Sequence, residues 1–278
     1  MKFLYGNFLM KYVSANQKPL VSILLPVNRD EGFLKESIES ILNQTYCNIE
    51  LIIIANNCDE QTYRMLELLN DDRVVISKLL IGQIPHALNH GIELARGAFI
   101  ARMDADDISN LKRIEVQIEY LIKNPEIGII GSHYEYIDED GAHLGYPKIT
   151  AKSDHDIKKR LAFESCLPHP TIMARKDVLL SNSGYCYGLY AEDWDLWLRL
   201  ARSGVKMAVI EHNLLKYRIH KNQSISPKNF SRNIGYVSGL LLREFIITKK
   251  ISYLAGIFYH ITKSSSYLIF NNFRIKFK

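Results

Sequence analysis

Cysteine is scarce in this chain and poorly spaced for chemistry. The four thiols, Cys47, Cys58, Cys166 and Cys186, form no C-x-x-C pair and no zinc-like interval, so free thiols in a reducing compartment are a simpler reading than a disulfide framework or a structural zinc site. A long apolar run is also missing. The longest lies close to Ile251–Thr262 and falls short of the ~20 residues that span a bilayer. The apolar N-terminal stretch MKFLYGNFLMKYV is interrupted by Lys11 and is followed by no small-residue cleavage site, so the sequence predicts a cytosolic chain without a secretory signal. There is no glycine-rich loop with a basic residue after the first apolar segment, as a nucleotidyltransferase would need; PVNRDEG stands there instead. No internal repeat and no low-complexity segment is visible. Acidic residues are almost absent from one region. From Lys228 to Lys278 nine Lys and Arg face the single acid Glu244, a local +8 in a chain whose total is +5, so residues 1–227 carry −3. A mildly acidic body argues against nucleic acid as a partner of that basic tail.

What is present is ample for a globular core: 278 residues, 47% of them hydrophobic. Apolar β-rich segments alternate with helical ones. Strand-like LVSILLPVN (Leu20–Asn28) precedes EGFLKESIESILNQ, whose Leu34, Ile38, Ile41 and Leu42 form the stripe of a sheet-covering helix. ELIIIA (Glu50–Ala55), VVISKL (Val74–Leu79) and AFIARM (Ala98–Met103) each lead into another helical pattern, and IGIIGS (Ile127–Ser132) reads as a fifth strand. Such alternation predicts an α/β fold with a mostly parallel sheet flanked by helices, and ligands then lie beyond the carboxyl ends of the strands. Further on, HPTIMAR (His169–Arg175) reads as a strand entered from a turn. EDWDLWLRLARSG reads as a strong helix ended by Gly204.

The fourth strand runs straight into Asp104, Asp106 and Asp107. Crowded carboxylates repel and lose hydration when buried, so the cluster needs a cation or strong donors; oxygen ligands of this kind suit Mg2+ or Mn2+ shared with substrate phosphates. The alternative is an acidic turn that caps the next helix through Asp107 or Ser109. A calcium loop is excluded, because ISNLKR after DADD supplies neither further alternating ligands nor a central glycine. The polar residues Pro26–Asn28, Ala55–Cys58 and Gly82–Gln83 stand at the ends of the other three strands and should converge on the cluster.

Five segments in order, VSILLPVN with ILNQTY, ELIIIANNCDEQT, ARGAFIARMDADD, AEDWDLWLRLA and YRIHKNQSIS, give the chain a resemblance to the family 2 glycosyltransferases over about Leu20–Ser226. The resemblance implies a GT-A, Rossmann-like fold and an inverting, nucleotide-sugar-dependent enzyme. It divides the chain into a catalytic domain, 1–227, with a donor-binding half at about 19–132 and an acceptor-side half at about 133–227, and a C-terminal helical tail, 228–278. By position, Asp104 and Asp106 match the D-x-D pair that holds a divalent cation, Mn2+ or Mg2+, on the donor diphosphate, with Asp106 the more direct ligand. Asp107 takes either a capping role or a donor-sugar contact. Glu192 and Asp193 match the E-D pair whose Asp is the general base, with Glu192 raising its basicity or orienting the acceptor. In YRIHKN, Arg218 is expected to clamp phosphate and His220 to act as a further metal ligand or as an ordinary hydrogen-bond partner. Pro26, Val27 and Asn28 are expected beside base and ribose, with Gln83 nearby. The family has two acids and Gly-Ser after the second strand; this chain has Ala55, Asn56, Asn57 and Cys58. Asn56 therefore meets the base with an amide, and a UDP-sugar is the donor first expected. The acceptor implied is a glycan or lipid-linked oligosaccharide hydroxyl in bacterial surface polysaccharide or lipopolysaccharide synthesis. The changed loop supports one alternative, a catalytically silent module that binds nucleotide sugar or glycan.

In the tail, Val237, Leu240, Leu241 and Phe245 have helical spacing, and basic residues mix with aromatics in SYLIFNNFRIKFK. That mixture predicts an interfacial segment lying on an anionic membrane at the inner face of the cell, or else helices packed back on the catalytic domain.

Overall fold

The computed structural model describes residues 18–186, 190–221 and 230–276. Its centre is a set of strands buried on both faces, as their unbroken apolar sequences require. β1 (Val21–Val27) and β2 (Ile49–Asn56) are buried along their whole length, and β1 pairs in parallel with β2 on one side and with β4 (Phe99–Arg102) on the other. β3 (Val74–Leu79) forms the edge beside β2. The connections are α1 (Leu34–Leu42), α2 (Glu60–Glu67) and α3 (Ile84–Leu94). Alternate residues of β1 face opposite layers: Leu24 packs with Ile52, Ile100 and Trp197, while Ile23 and Leu25 pack with Ile53, Ala101 and Ile118.

The second half adds β5 (Ile108–Ser109), α4 (Arg113–Lys123), β6 (Ile127–Ile137), β7 (His143–Gly145), α5 (Asp154–Arg160), β8 (Met173–Arg175), α6 (Lys176–Ser181), α7 (Glu192–Arg202) and β9 (Lys206–Arg218). The sheet order is β3-β2-β1-β4-β8-β6-β9-β5, with β7 paired to β6. It is mostly parallel. β8 is inserted antiparallel between β4 and β6, and β5 runs antiparallel to β9. Three expectations change. The fifth strand does not stop at Ser132 but continues to Ile137, because it pairs with β9 over its whole length. The 132/133 division of the catalytic domain therefore falls inside one strand, and the sheet runs through both halves. HPTIMAR is a strand only from Met173: His169–Thr171 is a 3₁₀ turn, since Pro170 has no N–H for a ladder. The boundary at 227/228 and the N-terminal stretch MKFLYGNFLMKYV lie outside the described residues, as does NQSIS of the fifth matching segment.

The tail forms two helices, α8 (Phe230–Thr248) and α9 (Ile251–Lys276), joined at Lys249 in the left-handed region (φ 59°). They pack back on the catalytic domain. Val237, Leu241 and Tyr253 join the core layer of Trp194 and Trp197, and the Trp194 ring meets His260 edge-on at 5.3 Å. Gly256 lies so close to the Ala162 carbonyl that no side chain fits there. Among the described residues no helix is long and apolar enough to cross a membrane.

Candidate active site

The loops after the first three parallel strands do meet. Asn28 Nδ2 donates to the Asn56 carbonyl at 2.9 Å and to that of Asn57 at 3.4 Å. Asn57 takes the left-handed conformation (φ 53°) that turns the chain out of β2. A side chain at Gly82 would stand 3.3 Å from Asn57 Cβ and 3.7 Å from Asn28 Nδ2, so the third loop closes on the other two. Pro26 and Val27 are buried within β1 opposite Ile54 and Ala55 and shape the floor rather than offering side chains to a ligand. Asn56 is 2% exposed, and its Oδ1 is buried without a protein partner, an acceptor that a ligand N–H would satisfy. Gln83 is exposed at the start of α3, where its side chain makes no capping bond.

The acidic cluster sits on a braced strand end. Arg113, buried in α4, donates to the Arg102 carbonyl at 2.6 Å, and Met103 N–H donates to Leu24 O at 3.0 Å. Asp104, Asp106 and Asp107 each bring a carboxylate oxygen within 4.8 Å of the others. Asp107 is no helix cap, and neither is Ser109: α4 begins at Arg113 behind Lys112. One Asp107 oxygen accepts the Arg218 N–H at 2.9 Å, and the other is buried without a partner. Burial, reinforced by Asp104 and Asp106, pushes the Asp107 carboxyl well above the carboxylate range. Burial likewise raises Asp104 to about 6, despite its ion pair with Arg102. The buried carboxylates of the cluster repel one another, and one of their oxygens is orphaned. A hard divalent cation suits both features and the all-oxygen donor set.

The end of β9 brings Arg218 and, just beyond it, His220 to this cluster, Arg218 in a role other than the one expected and His220 in the second of its two expected roles, that of a hydrogen-bond partner. The buried Arg218 guanidinium donates to the carbonyls of Asp106 (2.9 Å), Asp138 (3.1 Å) and Glu139 (2.9 Å) and to Glu36 Oε2 (2.5 Å), and it stacks 4.4 Å over Phe33. The phosphate clamp is therefore replaced by a brace that fixes the DADD loop, since carbonyls already fill the guanidinium fork. His220 Nε2 hydrogen-bonds Asp106 Oδ2 at 2.9 Å, and its ring leans on Phe33. It orients Asp106 from behind; the carboxylate group that could hold a metal consists of the three aspartates.

Glu192 and Asp193 open α7 after Ala191, held left-handed at φ 61°. Asp193 Oδ2 accepts from Ser165 Oγ at 3.0 Å. Burial raises the Asp193 carboxyl, and burial together with the neighbouring Asp193 charge brings Glu192 up to about 7. His169 Nδ1 lies 3.9 Å from Glu192, but burial and then Arg102 hold His169 well below its ordinary value, so at neutral pH this contact is not an ion pair. His169 Nε2 instead meets the Tyr185 hydroxyl at 2.9 Å. Asp195, on another face of α7, is buried and paired with Arg199 at 2.7 Å and Arg243 at 2.5 Å.

Sequence reasoning missed Arg102, Ser165 and Tyr185. Arg102 is the most consequential: 7% exposed, paired with Asp104, and within electrostatic reach of Glu192 and Asp193, it stands between the two acidic groups. An arginine inside the apolar run FIARM was the available signal. A pH effect follows. The Glu192–Asp193 pair takes up its first proton near pH 7, so a reaction that needs the ionised pair slows as pH falls through about 7. Glu192→Gln removes the like charge, and the acid limb of kcat/KM should move to lower pH; a pH–rate profile of both proteins checks the shift.

A mostly parallel α/β sheet with an acidic triad at one strand end and a second acid pair opening a helix is the arrangement that the resemblance to the GT-A glycosyltransferases implies. The comparisons agree. The profile described as "Glycosyl transferase family 2" matches residues 22–179. The Escherichia coli O-antigen biosynthesis glycosyltransferase WbnJ is 37% identical over 256 residues, 88% of this chain and 96% of WbnJ. The amylovoran biosynthesis glycosyltransferase AmsE of Erwinia amylovora is 28% identical, over 85% of this chain and 88% of AmsE. Among solved structures, S. aureus TarS 1-349 in complex with UDP-GlcNAc superposes with a TM-score of 0.63 at 17% identity, covering 80% of this chain and 66% of that one, a likeness of fold. The chain belongs to glycosyl transferase family 2.

Proposed function

We propose that the protein transfers a single sugar, hexosyl in type, from a nucleotide-sugar donor to a hydroxyl of a glycan or lipid-linked oligosaccharide, with inversion, in the synthesis of a bacterial surface polysaccharide. The observation that carries this reading is the pairing, across Arg102, of the Asp104–Asp107 cluster with the Glu192–Asp193 pair. The biosynthetic setting is supported by WbnJ and AmsE, named for O-antigen and amylovoran biosynthesis. TarS, solved with UDP-GlcNAc, supports a uridine nucleotide as the donor class, and the orphaned Asn56 acceptor suits a base N–H. The catalytic domain of this reading spans 1–227 and the tail 228–278, and the enzyme works peripherally at the inner face of the membrane.

Asp106 and Asp104, with Asp107 beside them, would hold Mn2+ or Mg2+, which when bound supplies positive charge to the departing diphosphate. His220 keeps Asp106 in place and Arg218 keeps the loop closed around it. On the other side, Asp193 removes the acceptor hydroxyl proton as that oxygen bonds to the anomeric carbon and the bond to the nucleoside diphosphate breaks. Ser165 aims the Asp193 carboxylate, and Glu192 keeps its basicity high. Removing an aspartate that orders the diphosphate should abolish donor binding. Calorimetry of UDP, GDP, dTDP and CMP with and without Mn2+ is expected to give metal-dependent binding of UDP that Asp106→Asn loses. Binding without turnover in any acceptor extract would favour the silent module, and no nucleotide binding by the folded chain would overturn the donor reading.

A further inference from the structure

The α8–α9 hairpin has two unlike faces. Its inner face is bound to the catalytic helix. Glu244, fully buried, accepts from Arg202 and Arg243, and Arg243 reaches Asp195 of α7 at 2.5 Å. Its outer face is apolar and exposed among the described residues. On α9, Ile251, Leu254, Phe258 and Ile261 recur at helical intervals along one side, with Ile251 75% and Phe258 71% exposed. On α8, Leu242 and Ile246 continue the same character, 46% and 57% exposed, towards the turn. Exposed Lys249 and Lys250 form that turn, and exposed Lys263 lies further along α9. The only acid of the whole segment, Glu244, is the one turned inward.

An apolar stripe with lysines beside it and no outward carboxylate is the chemistry of a surface that lies in a lipid interface. Stacking against a second copy would bring the lysine pairs of two hairpins together, whereas an anionic leaflet complements them. We infer that the outer face of the α8–α9 hairpin is a docking surface for an anionic lipid bilayer, entered by Ile251 and Phe258 and steered by Lys249 and Lys250. The inference rests on the peripheral placement proposed above and names the surface responsible for it. Because the inner face is salt-bridged to α7, docking also sets how the helix bearing Glu192 and Asp193 stands relative to the bilayer.

The test is co-flotation of the full chain with phosphatidylcholine vesicles, with and without phosphatidylglycerol. Wild type is expected to float with the anionic vesicles in a salt-sensitive manner. Ile251→Ser with Phe258→Ser should weaken partitioning roughly 100-fold, and Lys249→Glu with Lys250→Glu by about 30-fold or more. Circular dichroism and UDP calorimetry, both expected unchanged in these variants, separate loss of docking from loss of fold. They also separate this surface from the donor site, since a chain that floats but binds no nucleotide would keep the surface and lose the transferase reading. The inference is overturned if folded wild type floats with neither vesicle, if the variants float as well as wild type, or if light scattering finds a dimer that the apolar variant abolishes.

Discussion

Asp193→Asn is expected to lower kcat by about 10²- to 10⁴-fold, the contribution typical of a positioned general base, while UDP binding measured by calorimetry stays within about twofold of wild type. The split follows from where the residue stands. Asp193 belongs to α7 and is aimed by Ser165, whereas the donor-side cluster is braced by Arg113, Arg218 and Glu36 from other elements. The amide keeps the size and can still take the Ser165 hydrogen bond, but it cannot accept a proton. Ser165→Ala gives a smaller version of the same loss, because it removes aim and leaves the base. Equal loss of donor binding and turnover in Asp193→Asn would place Asp193 on the donor and remove it as the base.

Glu244→Ala should destabilise the protein by about 3–5 kcal/mol, the usual consequence of deleting one partner of a buried ion network. Glu244 is fully buried and is the common acceptor of Arg202 and of Arg243 Nε (3.1 Å) and Nη2 (2.9 Å). Without it, Arg243 retains Asp195, which also serves Arg199, and Arg202 loses its only described carboxylate. Urea denaturation of wild type and variant gives the difference directly. Replacing Arg202, Arg243 and Glu244 together by Met, Met and Leu should recover much of the loss, since no charge is then left unpaired. A change below about 1 kcal/mol in the single variant would mean that water already serves the carboxylate.

Much of the donor half was legible from residues alone. β1, β2, β3 and β4 fall within a residue or two of the apolar runs, because the strands buried on both faces, β1, β2 and β4, must be apolar throughout, the edge strand β3 still packs Val74 and Ile76 on the core, and a covering helix must repeat every three to four residues. The DADD cluster was legible for the same reason inverted: three acids after a buried strand need a stated partner. Beyond β4 the sequence was a poorer guide. β8 has three residues and β5 two, too short for any period to show, and their place in the sheet depends on partners far along the chain. The side-chain roles separate along the same line. The family motif marked Arg218 and His220, but whether a guanidinium faces a phosphate or three carbonyls depends on which loop folds beneath it.

By itself, then, the amino-acid order determined the alternating α/β layers, the acidic cluster at the end of β4, the acid pair that opens α7 and the basic tail, all features set by neighbours within a few residues. The tertiary structure alone decided that β8 enters the sheet reversed, that Arg218 braces a loop, that Arg102 stands between two acidic groups, and that the tail folds inward on Glu244 with an apolar face left outside. Those outcomes turn on burial and on contacts between distant segments, and the free energy of a charge or an apolar face is set by what the fold places around it.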